Sequence, residues 1–278
     1  MGLADLDVMI ETQGAVVGKI VSVTNQKGGV GKTTTAVNLA SCLSRLKNKT
    51  LLIDLDPQAN ATSGVGIDKE NVEKSIYHVF VKQVTPEEAI VKTAFDGLDI
   101  IPSVADLSGA EVELLEIEDK NVILTHLLSS IKDKYDCIII DCPPSLNVLA
   151  INALAASDLV LMPIQCEYYA LEGLSQLLKT VELVRSNINS RLEIGGILFT
   201  MADIRTNLTR QVMDEVKKYF GEHVFQTVIP RSVRLSEAPS FGKPIIYYDE
   251  KSVAAESYLQ FSREFAARHL KRQEAVAK

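Results

Sequence analysis

"NQKGGVGKTTT" occupies residues 25–35, and its reading decides the fold. It follows a Val- and Ile-rich run, "KIVSVTN" (19–25), and opens a segment (33–47) whose apolar residues recur at three- and four-residue spacing. A glycine-rich turn between a strand and a helix is the setting of a phosphate-binding loop. The ordinary pattern, G-x-x-x-x-G-K-[ST], wants glycine at position 26, where this chain has Gln26. It carries instead the adjacent Gly28 and Gly29 and an extra cation, Lys27, five residues before the expected Lys32. The second lysine needs a task of its own.

Outward from this loop, further short apolar runs read as buried parallel strands: 50–56, 98–103, 136–144, 159–165, 194–201 and 227–230. Segments 121–133, 146–156, 171–188, 207–220 and 253–270 carry helical spacing between them. Alternation of strand and helix predicts an α/β fold, a doubly wound, mostly parallel sheet flanked by helices. No repeat or linker divides it, so residues 19–270 read as one domain, with an extension over 1–18 and a polar tail over 271–278.

Glycines at 28, 29 and 31 let the backbone wrap an anion, and the helix start near Thr33 adds partial positive charge. In such a loop Gly28, Gly29, Val30, Gly31, Lys32, Thr33 and Thr34 surround a polyphosphate. Lys32 is placed to bridge the β- and γ-phosphates, Thr33 to ligate Mg²⁺ and Thr34 to support the α-phosphate. "CIIIDCPPS" ends a strand with Asp141, a residue type that holds water of a Mg²⁺ shell, and "LLIDLDPQ" ends another with Asp54 and Asp56. Ligands collect at the carboxyl ends of parallel strands, so these acids are expected to converge on the loop. Strand-end aspartates also cap helices, and for Asp54 that reading stands beside the direct one.

The 278 residues are 46% apolar and 23% charged, ordinary for a soluble globular chain. Cys42, Cys137, Cys142 and Cys166 show no C-x-x-C spacing and read as buried reduced thiols. Net charge is −7, yet residues 201–278 carry 13 Lys and Arg against 10 Asp and Glu. The basic groups concentrate in the last third. No uninterrupted apolar span and no signal peptide are visible, so a cytoplasmic location is expected.

The runs "KGGVGKTTTAVNLA", "LLIDLDPQANATSG", "IIIDCPPSL", "EYYALEGL" and "VIPRSVRLSEAPSFGKPI" together resemble the ParA/Soj partition ATPases over residues 18–270. The resemblance implies a P-loop NTPase of the deviant Walker A type that uses ATP and Mg²⁺. It implies that Lys27 reaches across a nucleotide-sandwich homodimer to phosphates held by the other subunit, so that dimerisation reports the bound nucleotide. Lys27, Lys32 and Asp56 are then the catalytic set. Asp56 positions the attacking water, and Thr33, Asp56 and Asp141 serve the metal. Pro230 and Ser232 match the loop that frames the adenine, although Ser232 stands where family members often have asparagine.

The same resemblance implies binding of nonspecific DNA through basic side chains that neutralise phosphates. Arg205, Arg231, Arg234 and Lys243 are the candidates, with Arg210 in the same third. It further implies a ParB-type centromere-binding partner that stimulates hydrolysis, and nucleoid association. The 18 residues before the first strand are too few for a helix-turn-helix, so operator binding is not expected. Three other readings compete: a MinD-like membrane-cycling ATPase, a non-hydrolysing nucleotide-switch scaffold, and a metabolic or iron–sulfur ATPase of the same fold. The first needs a membrane helix at the C-terminus, where Tyr258, Phe261, Phe265 and Leu270 fall at helical spacing. Stable membrane association is not expected, because that stripe also suits packing onto the domain.

Overall fold

The fold is that of a computed structural model describing residues 18–270; the expected tail 271–278 and all but Gly18 of the expected extension lie outside the described residues. Among the described residues eight strands form one sheet: β1 (Lys19–Val23), β2 (Thr50–Asp54), β3 (Val91–Lys92), β4 (Leu98–Ile101), β5 (Cys137–Asp141), β6 (Leu159–Gln165), β7 (Glu193–Ala202) and β8 (Val224–Pro230). Their order is β3-β4-β2-β5-β1-β6-β7-β8. All pairings are parallel except the antiparallel edge pair β3–β4. The first six helices are α1 (Lys32–Arg45), α2 (Asn60–Gly64), α3 (Ile76–Phe80), α4 (Pro86–Ala89), α5 (Leu107–Leu115) and α6 (Ile123–Leu128). The rest are α7 (Val148–Ala156), α8 (Ala170–Asn187), α9 (Asn207–Phe220), α10 (Val233–Glu237), α11 (Ile245–Tyr248) and α12 (Val253–His269).

The central strands are apolar at successive positions because both faces are covered. Val21, Val23, Leu52 and Ile139 point into the core shared with α1 and α12. Their neighbours Ile20, Leu51, Ile53, Ile138 and Ile140 point into a second core beneath α3 and α5–α7. A third core joins α8 and α9 to β6 and β7. This period-two division between opposite faces is what turns continuous Val/Ile runs into interior strands. It also leaves β1 at the centre, between β5 and β6, so the loop after β1 opens at the switch point of the sheet.

The C-terminal stripe is committed to the core. Tyr258, Phe261 and Phe265 are fully buried, and Leu270 nearly so. Burying a side chain such as Phe contributes about 1.5–3 kcal/mol. Surrendering this stripe to lipid would therefore cost much of a domain's net stability of about 5–15 kcal/mol. Among the described residues no helix is long and apolar enough to cross a membrane.

Strand β7 enters the sheet through a bulge at Gly195–Gly196, where its register against β6 shifts. Gly196 has φ +146°, and a Cβ there would lie 2.3 Å from the Phe225 ring. That ring is packed edge-on against Phe261, which opposes its retreat. Gly196→Ala is expected to destabilise by about 3 kcal/mol, combining backbone strain with overpacking. In thermal unfolding this is a fall of roughly 6–10 °C; a fall under about 2 °C would show that the ring yields.

Candidate functional site

The loop between β1 and α1 is shaped by two left-handed glycines, Gly29 (φ +74°) and Gly31 (φ +85°). Gly31 is the N-cap of α1 and supplies no side chain to the first-turn amides. Those N–H groups are left for an anion. A Cβ on Gly28 or Gly29 would meet nothing within 4 Å, so both face open space. Thr200 Oγ1 pins the loop from β7 by donating to the carbonyl of Val30, 2.7 Å away, and also lies 3.1 Å from the carbonyl of Ile164. Val30 itself is buried.

The loop forms one wall of a cavity of about 550 Å³, well within the size range of small-ligand sites. Gly28, Gly29, Gly31, Lys32, Thr33 and Thr34 line it, with Asp56 entering from the loop after β2. Its far wall comes from Met201, Arg231, Ser232 and Leu235. Met201 takes a left-handed φ of +49° where the β7–β8 register shifts, a strained non-glycine conformation at the rim of the site. Pro230 ends β8 opposite Ala202, and the cavity wall at that turn is made by the next two residues.

Parallel register sets the carboxylates side by side, because Asp54 on β2 is the partner of Asp141 on β5. Both are fully buried. Asp54 is spoken for: its Oδ2 accepts from the amide and hydroxyl of Thr62 (2.8 and 2.7 Å), and its Oδ1 from the amide of Asp56. Its role is to tie β2 to α2, the structural one of its two readings. Asp56, half-buried, accepts from the Gln58 amide and keeps its carboxylate at the cavity. Asp141 differs, since neither of its buried oxygens has a hydrogen-bond partner. The Thr33 hydroxyl lies beside it and, together with Lys32, favours the charged form.

Burial, then the charge of Asp54, raises Asp141 well above the usual carboxylate range. Burial also raises Asp54 to about 6, opposed by its bonds to Thr62. Lys32 is lowered by burial, with Asp141, Cys142 and Asp56 pulling back. A buried acid with two free oxygens beside a threonine hydroxyl is the environment a hard divalent cation relieves. Among the described residues no cluster of three or more His, Cys, Asp or Glu forms a ready-made metal cage. Mg²⁺ suits such a site, because it keeps several waters and takes phosphate oxygens with one or two protein groups.

Lys27 stands apart from Lys32. It is absent from the cavity wall, its side chain is 44% exposed, and its ammonium is paired with Glu167. Lys32 Nζ instead lies 3.1 Å from the Lys27 carbonyl, within the loop. By the resemblance Lys27 is expected to serve phosphates held by another subunit; within its own subunit it does not line the cavity. Thr200, Met201 and Leu235 were missed, and Arg231, read as a DNA contact, lines the cavity. The one available signal was the adjacency of Arg231 to Pro230 and Ser232.

The remaining basic candidates are on the surface, and two of them are already paired. Arg205 forms two bonds to Asp203 (2.8 and 2.7 Å). Arg234 pairs with Glu237 at 3.0 Å and Asp249 at 3.4 Å. Lys243 lines two smaller neighbouring cavities.

Similarity to known proteins agrees with this geometry. The family model described as "AAA domain" matches residues 18–194. The chain is 57% identical to the sporulation initiation inhibitor protein Soj of Bacillus subtilis, over 90% of this chain and 99% of that protein. It is 52% identical to the chromosome partitioning protein ParA of Myxococcus xanthus, over 91% of this chain and 90% of the other. A Mycobacterium smegmatis structure described as cobyrinic acid a,c-diamide synthase, with bound ATP analogue and magnesium, superposes with a TM-score of 0.80. It is 33% identical, covering 92% of this chain and 98% of that one. A phosphate loop with uncapped amides, a buried acid open to a cation and these relatives agree: the chain is a P-loop ATPase of the ParA/Soj chromosome-partition family.

Proposed function

We propose that this ATPase is a nucleotide-gated DNA carrier whose ATP-bound form is a sandwich homodimer. The observation that carries the reading is the position of Lys27. A loop lysine half-exposed outside its own cavity is available to phosphates held by a second subunit. Mg·ATP, when bound, supplies the polyphosphate and the metal-stabilised leaving group. The loop amides and Lys32 hold the phosphate oxygens, and Thr33 with Asp141 serves the metal. Asp56, aimed into the cavity, orients water, and the turn at Arg231 and Ser232 frames the base. Lys27 completes the charge only when two subunits meet, so ATP favours the dimer by contacting both.

Arg205 and Arg234 are the proposed DNA contacts, with Lys243 in support. Their carboxylate partners do not preclude this, because exposed ion pairs are weak and screened by salt, and a DNA phosphate can take the carboxylate's place. Arg231 is assigned to the nucleotide cavity first. Release is proposed to follow hydrolysis stimulated by a ParB-type centromere-binding protein, which makes the dimer a nucleoid-associated species.

DNA co-sedimentation with ATP, ADP or no nucleotide tests this. Retention is expected only with ATP, indifferent to sequence and falling steeply with salt. Asp56→Ala is expected to increase it, because water is no longer oriented and the dimer persists. Arg205→Glu with Arg234→Glu is expected to lower retention at least tenfold while leaving dimerisation in place. Retention that ignores nucleotide, or survives the double charge reversal at low salt, would refute the assignment.

A further inference from the structure

Lys27 is held by a residue that the ATPase reaction does not otherwise use. Glu167 lies 140 positions away, in the short loop between β6 and α8, and its Oε2 takes the Lys27 ammonium. The backbones on both sides are anchored to the same strand. The Lys27 amide donates to Asn25 Oδ1 at 2.9 Å, and Asn25 Nδ2 donates to the Pro163 carbonyl of β6 at 2.8 Å. On the other side the Glu167 amide donates to the Gln165 carbonyl at 2.8 Å, and the Glu167 carbonyl accepts from Ala170 at 2.9 Å. Two fixed backbones therefore present two side chains to each other, and those side chains are the parts free to change partner.

We infer that Glu167 is a positioning residue that holds Lys27 on its own subunit until phosphates on a second subunit compete for it. The inference rests on the proposed action of Lys27 across a dimer. Both side chains are nearly half exposed, 44% and 45%, so the pair is weak and screened by salt. A weak pair suits a latch. It keeps the lysine off the nearby phosphate loop in the monomer, yet a single carboxylate loses to a multiply charged polyphosphate in a closed, water-poor interface. The latch lowers apparent dimer affinity by the fraction of subunits whose lysine is free. Glu167 also fixes the starting direction of the side chain, at the rim of the cavity rather than over it.

The test measures ATP- and Mg²⁺-dependent dimerisation of the full chain by sedimentation velocity, for wild type, Glu167→Gln, Glu167→Asp, Lys27→Gln and the Lys27→Gln/Glu167→Gln double variant. Glu167→Gln is expected to tighten the dimer roughly two- to fivefold at low salt. That gain should vanish as salt rises, because added salt opens the latch in wild type as well. Glu167→Asp keeps the charge and should return toward wild type, and the double variant should match Lys27→Gln alone. Dimerisation unchanged or weakened in Glu167→Gln, or a gain that persists without Lys27, overturns the latch while leaving the trans lysine intact. A Lys27→Gln variant that dimerises like wild type removes the trans reading itself, and the latch with it.

Discussion

Lys27→Gln is expected to abolish ATP-dependent dimers at micromolar protein and to lower phosphate release by about 10³-fold, the scale seen when a cation supplied across an interface is removed from phosphoryl transfer. Nucleotide binding by the monomer is expected to stay within about threefold of wild type, because the side chain lies outside its own cavity wall and contributes at most a weak long-range charge there. Lys32→Gln should behave differently. That side chain is buried in the wall, so its loss should weaken monomer binding directly. Calorimetric titration with a non-hydrolysed ATP analogue, beside light scattering and phosphate release, separates the two lysines. Equal loss of monomer binding in both variants would place Lys27 in its own subunit's site.

The second large effect is expected at Asp141. Asp141→Asn should reduce turnover at least about 100-fold through loss of the metal-serving carboxylate. The same variant should make the ligand-free protein more stable, by about 1–2 kcal/mol or roughly 3–6 °C in Tm. Activity and stability pull apart here because the buried acid has no hydrogen-bond partner and faces Asp54. The pH dependence follows the same sign. Folding raises both carboxyls, Asp54 to about 6 and Asp141 well above the usual range, so the folded state binds more protons than the unfolded one. The stabilisation by protonation is fully present below the unfolded carboxylate range and is lost as pH rises through the folded values. Ligand-free protein should thus lose this contribution between about pH 4 and 6 from Asp54, and further at higher pH from Asp141. Mg²⁺ with ATP should flatten the profile. A ligand-free Asp141→Asn protein that melts below wild type at pH 7 would mean the carboxylate is satisfied in the fold.

Much of the architecture was legible because the decisive signals are local. Strands β1, β2, β5 and β6 lie within the Val/Ile runs, and α1 starts at Lys32, one residue before the expected Thr33. The phosphate loop was legible for the same reason, since its glycines, lysine and threonines are contiguous. The two-residue β3 and the short α3, α4 and α5 were not read. Segments of that length carry too few periods to distinguish, and α3 is buried only because its Ile76, Val79 and Phe80 pack into the second core. The C-terminal stripe was ambiguous as sequence, because a helix face suited to lipid and one suited to a core share one spacing; burial of Phe261 and Phe265 decides it.

What the sequence determined by itself is the chemistry of the loop and the order of strands and helices, because residue type at fixed spacing dictates backbone conformation, anion contact and periodic burial. Only the tertiary structure decided which groups are free to act. It brings Thr62 to satisfy Asp54 and leaves Asp141 without a bond, it turns Arg231 into the cavity, and it sets Glu167 against Lys27 across 140 residues of chain. These outcomes depend on the register of β2 with β5 and on how the loops after β6 and β8 return over the sheet, and so on contacts between residues whose separation along the chain carries no information about their distance in space.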